Sequence, residues 1–546
     1  MMRWNKFWMW ILLATILLSS CKTREDHSDK MIFHYNESMG IQTLDPAYAS
    51  GQAVIWPCNQ IFNGLVDLDD SLNIVPAIAK SWSISNDGRI YTFTLRDDVE
   101  FHNTEFYPFK QKRFVTAQDF VYSFSRILDP DVASPGAWIF QKVKRDSKGV
   151  PAFRAINDTT FQIELTESFP PFLGILTMKY CSVVPKEVVE HFGKDFRNNP
   201  VGTGPFQFQL WQEGVKLVLR KNPNYFERDE QGYRLPYLDA IAISFIVDKQ
   251  SVFMEFMKGS LDFMSGIEAC YKDALLTKDG QLNPAYKGQI KLLTGPYLNT
   301  EYLGFMLKPG DKKNPILDKR VRQAINYGFD RKKMMKYLRN NVGYPGTAGF
   351  VPKGMSSFNP ERTGGYDYNP EKALKLLAEA GYPNGKGLPP ISVAVSASYA
   401  DLVQYMQHEL ADIGIDLRMD VMQGAQQRQM MRNYQLPFFR GSWICDYPDA
   451  ENYMALFYSK NLQPNGSNYT YYINPTFDKL YEQSQRCTGE QKRNDYYTRM
   501  DSLLMADAPV VILYYDKVVR FTQANVSGME TNPVNMLNLK RVKISK

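Results

Sequence analysis

Late in the chain one acid stands between two aromatics, in Trp443-Ile444-Cys445-Asp446-Tyr447. Arg440-Gly441-Ser442 precedes it and a Pro448-Asp449 turn follows. A carboxylate walled by aromatic rings attracts a small cation such as an amine, because the charge and the ring faces both favour it. Phe438-Phe439 read as the end of a buried strand, so the acid emerges where that strand leaves the core. Open α/β sheets present ligand-binding groups at such places. The same residues would also make a solvated turn after a strand, and the stretch alone does not choose between the two.

Other chemistries find little support. There is no Gly-x-Ser-x-Gly, no His-Glu-x-x-His and no cysteine in a nucleophile signature, which argues against a secreted hydrolase. Asp446 and Asp449 are paired carboxylates, but three residues across a proline turn do not set the separation a glycosidase needs. The histidines (His27, His34, His102, His191, His408) are dispersed without ligand spacing, so no metal and no cofactor is expected. Asn199-Pro-Val-Gly-Thr-Gly-Pro-Phe206 fails the phosphate-loop patterns and reads as a structural turn.

The 546 residues suffice for two or three domains with full cores. The composition is globular, 44% hydrophobic and 22% charged, and 33 tyrosines suit enclosure of an amphipathic ligand. The formal charge of +6, two fewer once Arg3 and Lys6 leave with a leader, argues against nucleic acid as a partner. That leader is the sharpest local signal: Arg3 and Lys6, a short apolar run from Phe7 to Leu18, then Leu18-Ser-Ser-Cys21. It resembles a bacterial lipoprotein leader, cleaved before a cysteine that is then acylated. Cys21 is the expected lipid anchor, with residues 21–30 as a tether; an ordinary signal peptide is the alternative. No later window is apolar enough to span a bilayer, which places the rest outside the cytoplasm. The remaining cysteines, Cys58, Cys181, Cys270, Cys445 and Cys487, are odd in number and lack CxxC spacing.

The elements that must position Asp446 alternate between strand and helix. Strands are predicted at 31–35, 160–165, 216–220, 241–247, 261–264, 391–395, 415–421 and 509–515. Ser81 to Arg96 reads as a hairpin around Asn86-Asp-Gly88. Helices are predicted from Thr116 to Asp129-Pro130 and over 252–258, 318–327, 369–381, 402–413, 477–485 and 496–504. Thr116, Asp330 and Asn369 serve as caps, and Gly259, Gly328, Gly381 and Gly414 as stops.

Six collinear segments carry a family resemblance: Asp87-Gly-Arg-Ile-Tyr-Thr-Phe-Thr-Leu-Arg96; Thr116-Ala-Gln-Asp-Phe-Val-Tyr-Ser-Phe124; Val201-Gly-Thr-Gly-Pro-Phe206 with Asn222-Pro-Asn-Tyr-Phe226; Val321-Arg-Gln-Ala324; Tyr368-Asn-Pro-Glu-Lys-Ala373 with Glu379-Ala-Gly381; and Trp443-Ile-Cys-Asp-Tyr447. In this order they resemble the family 5 extracytoplasmic solute-binding proteins, the oligopeptide- and dipeptide-binding lipoproteins of ABC importers. The resemblance implies an α/β, two-lobed periplasmic-binding-protein-like fold (class II) of three subdomains, with the ligand cleft between lobes. Residues 31–50, 198–300 and 515–546 would build lobe I, 51–197 an extra domain on it, and 301–514 lobe II, after a signal peptide at 1–20. No catalysis is implied. The implied partners are a short peptide, the ABC permease subunits and, through the N-terminal lipid, the membrane; a monomer is expected. By the same resemblance Asp446 pairs with a peptide's α-ammonium, and Trp443 walls the neighbouring side-chain pocket, with Tyr447 beside it. Backbone at Gly40, Ile41 and Gln42 and at Gly441, Ser442 and Ile444 holds the peptide main chain. Arg440 would meet the C-terminal carboxylate, with Arg432 a second candidate; a lobe-surface salt bridge is the alternative for Arg440. Cys445 departs from the alanine often found before the acid, which leaves peptide length and side-chain preference open. The same fold could instead bind a glycan, a metal chelate or haem.

Overall fold

The structure is a computed structural model that describes residues 30–545 apart from 269, 311–313 and 464–465. The leader and Cys21 lie outside the described residues.

One mixed sheet, eleven-stranded among the described residues, runs through both lobes. In lobe I the order is Phe206–Gln212, Lys216–Lys221, Ala240–Ser244, Ile32–Asn36 and Phe263–Ser265. In lobe II it is Leu417–Val421, Ile391–Val395 and Phe438–Ile444. Two long antiparallel strands, Ile290–Phe305 and Val510–Gln523, belong to both halves. Their register runs from Ile290↔Gln523 to Pro296↔Lys517, breaks, resumes at Thr300↔Tyr515 and Glu301↔Tyr514, shifts once more, and runs from Tyr302↔Ile512 to Gly304↔Val510. Pro296 has no N–H to donate, so the ladder is weakened where the break begins.

The lobes bury different cores. Both faces of the lobe II sheet are covered, because its residues alternate in direction. Leu303, Phe305, Phe438 and Leu513 pack under the helices Lys319–Tyr327, Pro370–Glu379 and Ala400–Ala411. Tyr302, Phe439, Ile512 and Tyr515 pack on the opposite face, under Pro475–Gln485 and Glu490–Asp507. In lobe I a single hydrophobic cluster joins Phe33 and Ile241 of the large sheet to Phe93, Phe161 and Phe172 of residues 51–197. The added region therefore shares its core with lobe I. It carries a separate antiparallel sheet, in the order Ala79–Ile84, Ile90–Leu95, Thr160–Glu164 and Phe153–Asn157. The helix Ala117–Ile127 presses Phe120 and Phe124 onto Phe161.

Two expectations are corrected. Phe438-Phe439 begin a strand rather than end one: the strand runs on to Ile444 because its polar residues find partners on Ile290–Phe305. The strand expected at 509–515 continues to Gln523. Helix Gln52–Ile61 forms despite Pro57 in its interior, a residue that ordinarily argues against one.

Candidate functional site

The strand Phe438–Ile444 aims the site. Phe438 stacks on its register partner Phe305, ring centres 4.3 Å apart, which locks the pairing at the buried end. Gly441 lies under the Tyr302 ring, where a Cβ would come within 2.4 Å of Tyr302 Cζ. Cys445 N–H donates to Leu298 O at 2.8 Å, the last ladder-like bond. The chain then leaves the sheet at Asp446.

Asp446 is solvent-accessible within the cleft between lobes, yet protein surrounds it closely enough that desolvation dominates its titration. Its carboxyl is pushed up to about 6, with a hydrogen bond from Asn452 partly offsetting the rise. Asn452 Oδ1 accepts from Trp443 Nε1 (2.8 Å) and from Asp446 N–H (3.2 Å), while its Nδ2 donates to Asp446 Oδ2 at 3.4 Å. One amide thus fixes the acid relative to the strand. The Tyr180 phenol of the added region is pushed up to about 12, by burial first and then by the charge of Asp446 nearby.

Asp446 lines a cavity of about 230 Å³ closed by both lobes. Lobe II supplies Ile444, Cys445 and Asp446, and the connecting strand supplies Tyr297. Ser50, Gln52 and Trp56, at the start of helix Gln52–Ile61, face them with Lys179. Trp56 is held by a bond from Nε1 to Asn535 O at 2.9 Å. The cavity has room for a short ligand. Closure is seen beside the cavity: Tyr447 joins the lobe I core, its ring 6.4 Å from that of Trp138.

The aromatic wall differs from the expected one. Trp443 and Tyr447 do not line the cavity. Trp443 is opposite Thr300 and packs with the Tyr302–Phe439 face of lobe II, and Tyr447 donates its hydroxyl to the buried Glu451. Trp56 and Tyr297 take their place.

Arg440 is engaged elsewhere. It donates to Glu301, and its guanidinium lies 3.5 Å from the centre of the Tyr399 ring. Glu301 is 2% exposed and also accepts from Asn299 Nδ2 (3.0 Å) and Ser442 Oγ (2.8 Å). Burial disfavours the charge of Arg440, but Glu301 outweighs that and holds it firmly protonated. Arg432 is exposed at the end of helix Gly424–Arg432 and does not line the cavity. Gly40, Ile41 and Gln42 do not line it either: Ile41 is buried in the lobe I core, and Gln42 O accepts from Arg197 Nη1 at 3.0 Å.

Ser442 and Ile444 have one side without a strand partner among the described residues. On its outer side the strand pairs once, Ala394 with Phe439, and Gln427 Nε2 caps Arg440 O at 3.0 Å. Alternation points the amides of Ser442 and Ile444 to that side, opposite to Cys445, and no strand among the described residues pairs there. Asn452 and Lys179 were missed by the sequence reading. Asn452 closes the very stretch that contains the acid, and a polar side chain just past the turn was the available signal. Lys179 had none.

A closed cavity between two lobes joined by paired strands, with one desolvated acid at its mouth, defines a ligand-capturing protein of the binding-protein class. The chain belongs to the bacterial extracellular solute-binding proteins of family 5: residues 73–465 match the profile described as the middle part of that family. It is therefore a transport component and not an enzyme. Heme-binding protein A of Haemophilus influenzae is 27% identical over 91% of each chain. Oligopeptide-binding protein OppA of Bacillus subtilis is 26% identical over 95% of each. The periplasmic binding protein DppA of Helicobacter pylori, solved in complex with peptide STSA, superposes with a TM-score of 0.76 at 24% identity. That likeness covers 94% of this chain and 98% of the other.

Proposed function

We propose that this protein captures short peptides between its lobes and delivers them to the membrane subunits of an ABC importer. The observation that carries the reading is Asp446: a carboxylate made costly to ionise by its surroundings, held by Asn452 at the mouth of a closed cavity. A peptide α-ammonium supplies the missing counter-charge. The unpaired edge at Ser442–Ile444 supplies strand-like hydrogen bonds to the peptide backbone, which any sequence can satisfy. The similarity to OppA and to the peptide-bound DppA structure supports the same class of ligand. Haem is suggested by the first of the relatives above. However, the cavity falls below the range of about 300–1,000 Å³ that encloses drug-sized ligands, and haem is larger than most of those.

The reading divides the chain as the resemblance implied, with the lobes flexing where the two long strands lose register, at Pro296–Thr300 and Tyr515–Lys517. Acylation of Cys21 anchors a monomer to the membrane and leaves the lobes outside the cytoplasm. Cys21→Ser would release the protein from the membrane fraction.

Native mass spectrometry of the chain from Lys22 onward, with release and sequencing of what co-purifies, tests the ligand class. A ladder of short peptides of mixed sequence is expected. A clean apo mass that fails to shift with a peptide library would overturn the reading and turn the search to glycans.

A further inference from the structure

The cavity at Asp446 has a larger neighbour. A groove of about 590 Å³ lies against the hairpin that Val66–Leu68 and Ile74–Pro76 form. Asp67, Leu68 and Asp69 line both spaces, with Asn538 beside them, so little more than one strand separates the two. Successive side chains of a strand point to opposite faces, which lets one strand wall both.

This wall is weakly held. Its two strands pair with each other as a two-stranded sheet apart from the larger ones, and such a hairpin is marginal by itself. Its base is fixed: Val66 is buried, and Leu65 O accepts from Ala77 N–H at 3.3 Å and from Ala79 N–H at 2.9 Å. Its tip is a closed unit, in which Asp69 accepts from Ser71 N–H and Asn73 N–H at 2.9 and 2.8 Å. Among the described residues, the hydrogen bonds and ion pairs that tie residues 67–75 to the rest of the protein are few and long. Asp70 Oδ1 accepts from Asn532 Nδ2 at 3.4 Å and from Asn538 Nδ2 at 3.3 Å, and Asp67 Oδ1 lies 3.6 Å from Lys179 Nζ. Leu72, at the tip, packs against the cluster of Tyr302 and Phe439, which carries the hairpin across to lobe II. It does so with a φ of 67°, a left-handed backbone that strains a leucine. A segment with few outside bonds and a strained tip opens at low cost.

The groove beyond the wall carries both signs of charge. Lys540 and Arg541 line it, paired with Glu227 at 2.7 Å and Glu230 at 3.1 Å, and Lys543 Nζ lies 3.9 Å from the centre of the Tyr237 ring. Charged groups of both signs hydrogen-bond the N–H and C=O groups of a peptide backbone. We propose that the hairpin of residues 66–76 is a displaceable wall, and that the groove behind it receives the far end of a peptide too long for the closed cavity. This rests on the peptide reading and deepens it: the ligands span a range of lengths rather than one. A dipeptide leaves the hairpin in place. A longer chain swings it out about its base at Leu65 and Ala77, and exchanges long polar contacts and a strained turn for main-chain bonds in the groove. The lobes still close on the amino end at Asp446.

The test follows amide hydrogen exchange in the full mature chain, alone, with a mixture of dipeptides and with a mixture of hexapeptides, each brought to saturation by calorimetry. Dipeptides are expected to leave exchange at residues 67–75 unchanged or slower. Hexapeptides are expected to bind and to raise it by about fivefold or more, while residues 440–446 become protected. Asp70→Ala removes both tip bonds from an exposed position that does not line the smaller cavity. It is expected to tighten hexapeptide binding by about threefold or more and to leave dipeptide binding unchanged. The wild-type comparison needs no variant. Hexapeptides that bind with residues 67–75 as protected as in the dipeptide complex would overturn the proposal while leaving the peptide reading intact. So would dipeptides binding where hexapeptides do not, or an Asp70→Ala variant that binds hexapeptides no more tightly. Neither mixture binding would overturn both.

Discussion

At the scale of the residue, the proposed function makes Asp446 the group on which binding turns. Asp446→Asn keeps the shape and removes the charge. Peptide affinity is expected to fall by more than about tenfold, ~1.4 kcal/mol, and unchanged affinity by calorimetry would remove Asp446 from the site. Its raised pKa of about 6 also sets a pH window. The site needs its ionised carboxylate and the ligand its ammonium, so affinity should peak near pH ~7, weaken about tenfold per unit once the pH falls below 6, and fall again above pH ~8 as the peptide α-amine loses its proton. Binding near pH 6 should release a proton, visible as a dependence of the calorimetric heat on the buffer's ionisation enthalpy. Arg440 is a residue of the fold in this reading. Arg440→Met strands Glu301 in the interior with Asn299 and Ser442 alone. A loss of about 3–5 kcal/mol in urea unfolding is expected, whereas a ligand-only role would leave stability untouched. The placement of Asp446 at a turn after a strand was legible in the sequence, because one short stretch held the acid and Pro448-Asp449. The aromatic lining of the cavity was not, since Trp56 and Tyr297 come together there only in the folded chain.

At the scale of the element, helix Glu490–Asp507 clamps the loop that follows the edge strand Tyr344–Pro345. Asp501 is buried and accepts from Phe350 N–H at 2.6 Å and Val351 N–H at 3.2 Å. Desolvation dominates and pushes its carboxyl up to about 7, against those two bonds. Because the folded pKa exceeds the ordinary value of 3.8, the native state holds this proton more tightly than the unfolded chain does. Asp501 therefore lowers stability as pH rises from about 4 to 7. Asp501→Asn should flatten that part of the urea-midpoint profile, and parallel profiles for the two proteins would refute the assignment. Elements with strong end signals were readable. Thr116 N–H does meet Asp119 Oδ2 at 2.8 Å, and Asn369 Oδ1 does accept from Lys372 N–H at 2.9 Å. The strand Ile290–Phe305 was not readable, because Gly295-Pro296 in its middle looks like a turn and is in fact a break in register within a continuing strand. Helix Gln52–Ile61 was hidden by Pro57 in the same way.

At the scale of the whole molecule, the contact of Tyr447 with Trp138 marks a closed arrangement, and ligand is expected to favour it. Small-angle X-ray scattering should show the radius of gyration falling when a saturating peptide mixture is added, with Asp446→Asn requiring more ligand for the same change. Identical scattering curves with and without ligand, at concentrations where calorimetry shows binding, would exclude closure as the response. The lobed architecture was legible through the collinear segments rather than through any one of them. The shared core of lobe I and the added region was not, because nothing local tells Phe93 and Phe161 that Phe33 is their neighbour.

The two long connecting strands also set an order in time. Every strand of lobe II lies between Thr300 and Tyr515 in the chain, so that lobe holds all its own parts once Tyr515 has crossed the membrane. Lobe I must wait. Its strand Phe263–Ser265 pairs with Ser265↔Arg520 to Phe263↔Thr522, and its core is sealed by Leu537, Leu539 and Val542. During export the middle of the chain is thus able to fold while both of its flanks are still unstructured. The half that emerges first is completed last, and its early strands stay exposed to wrong partners for the longest part of the journey.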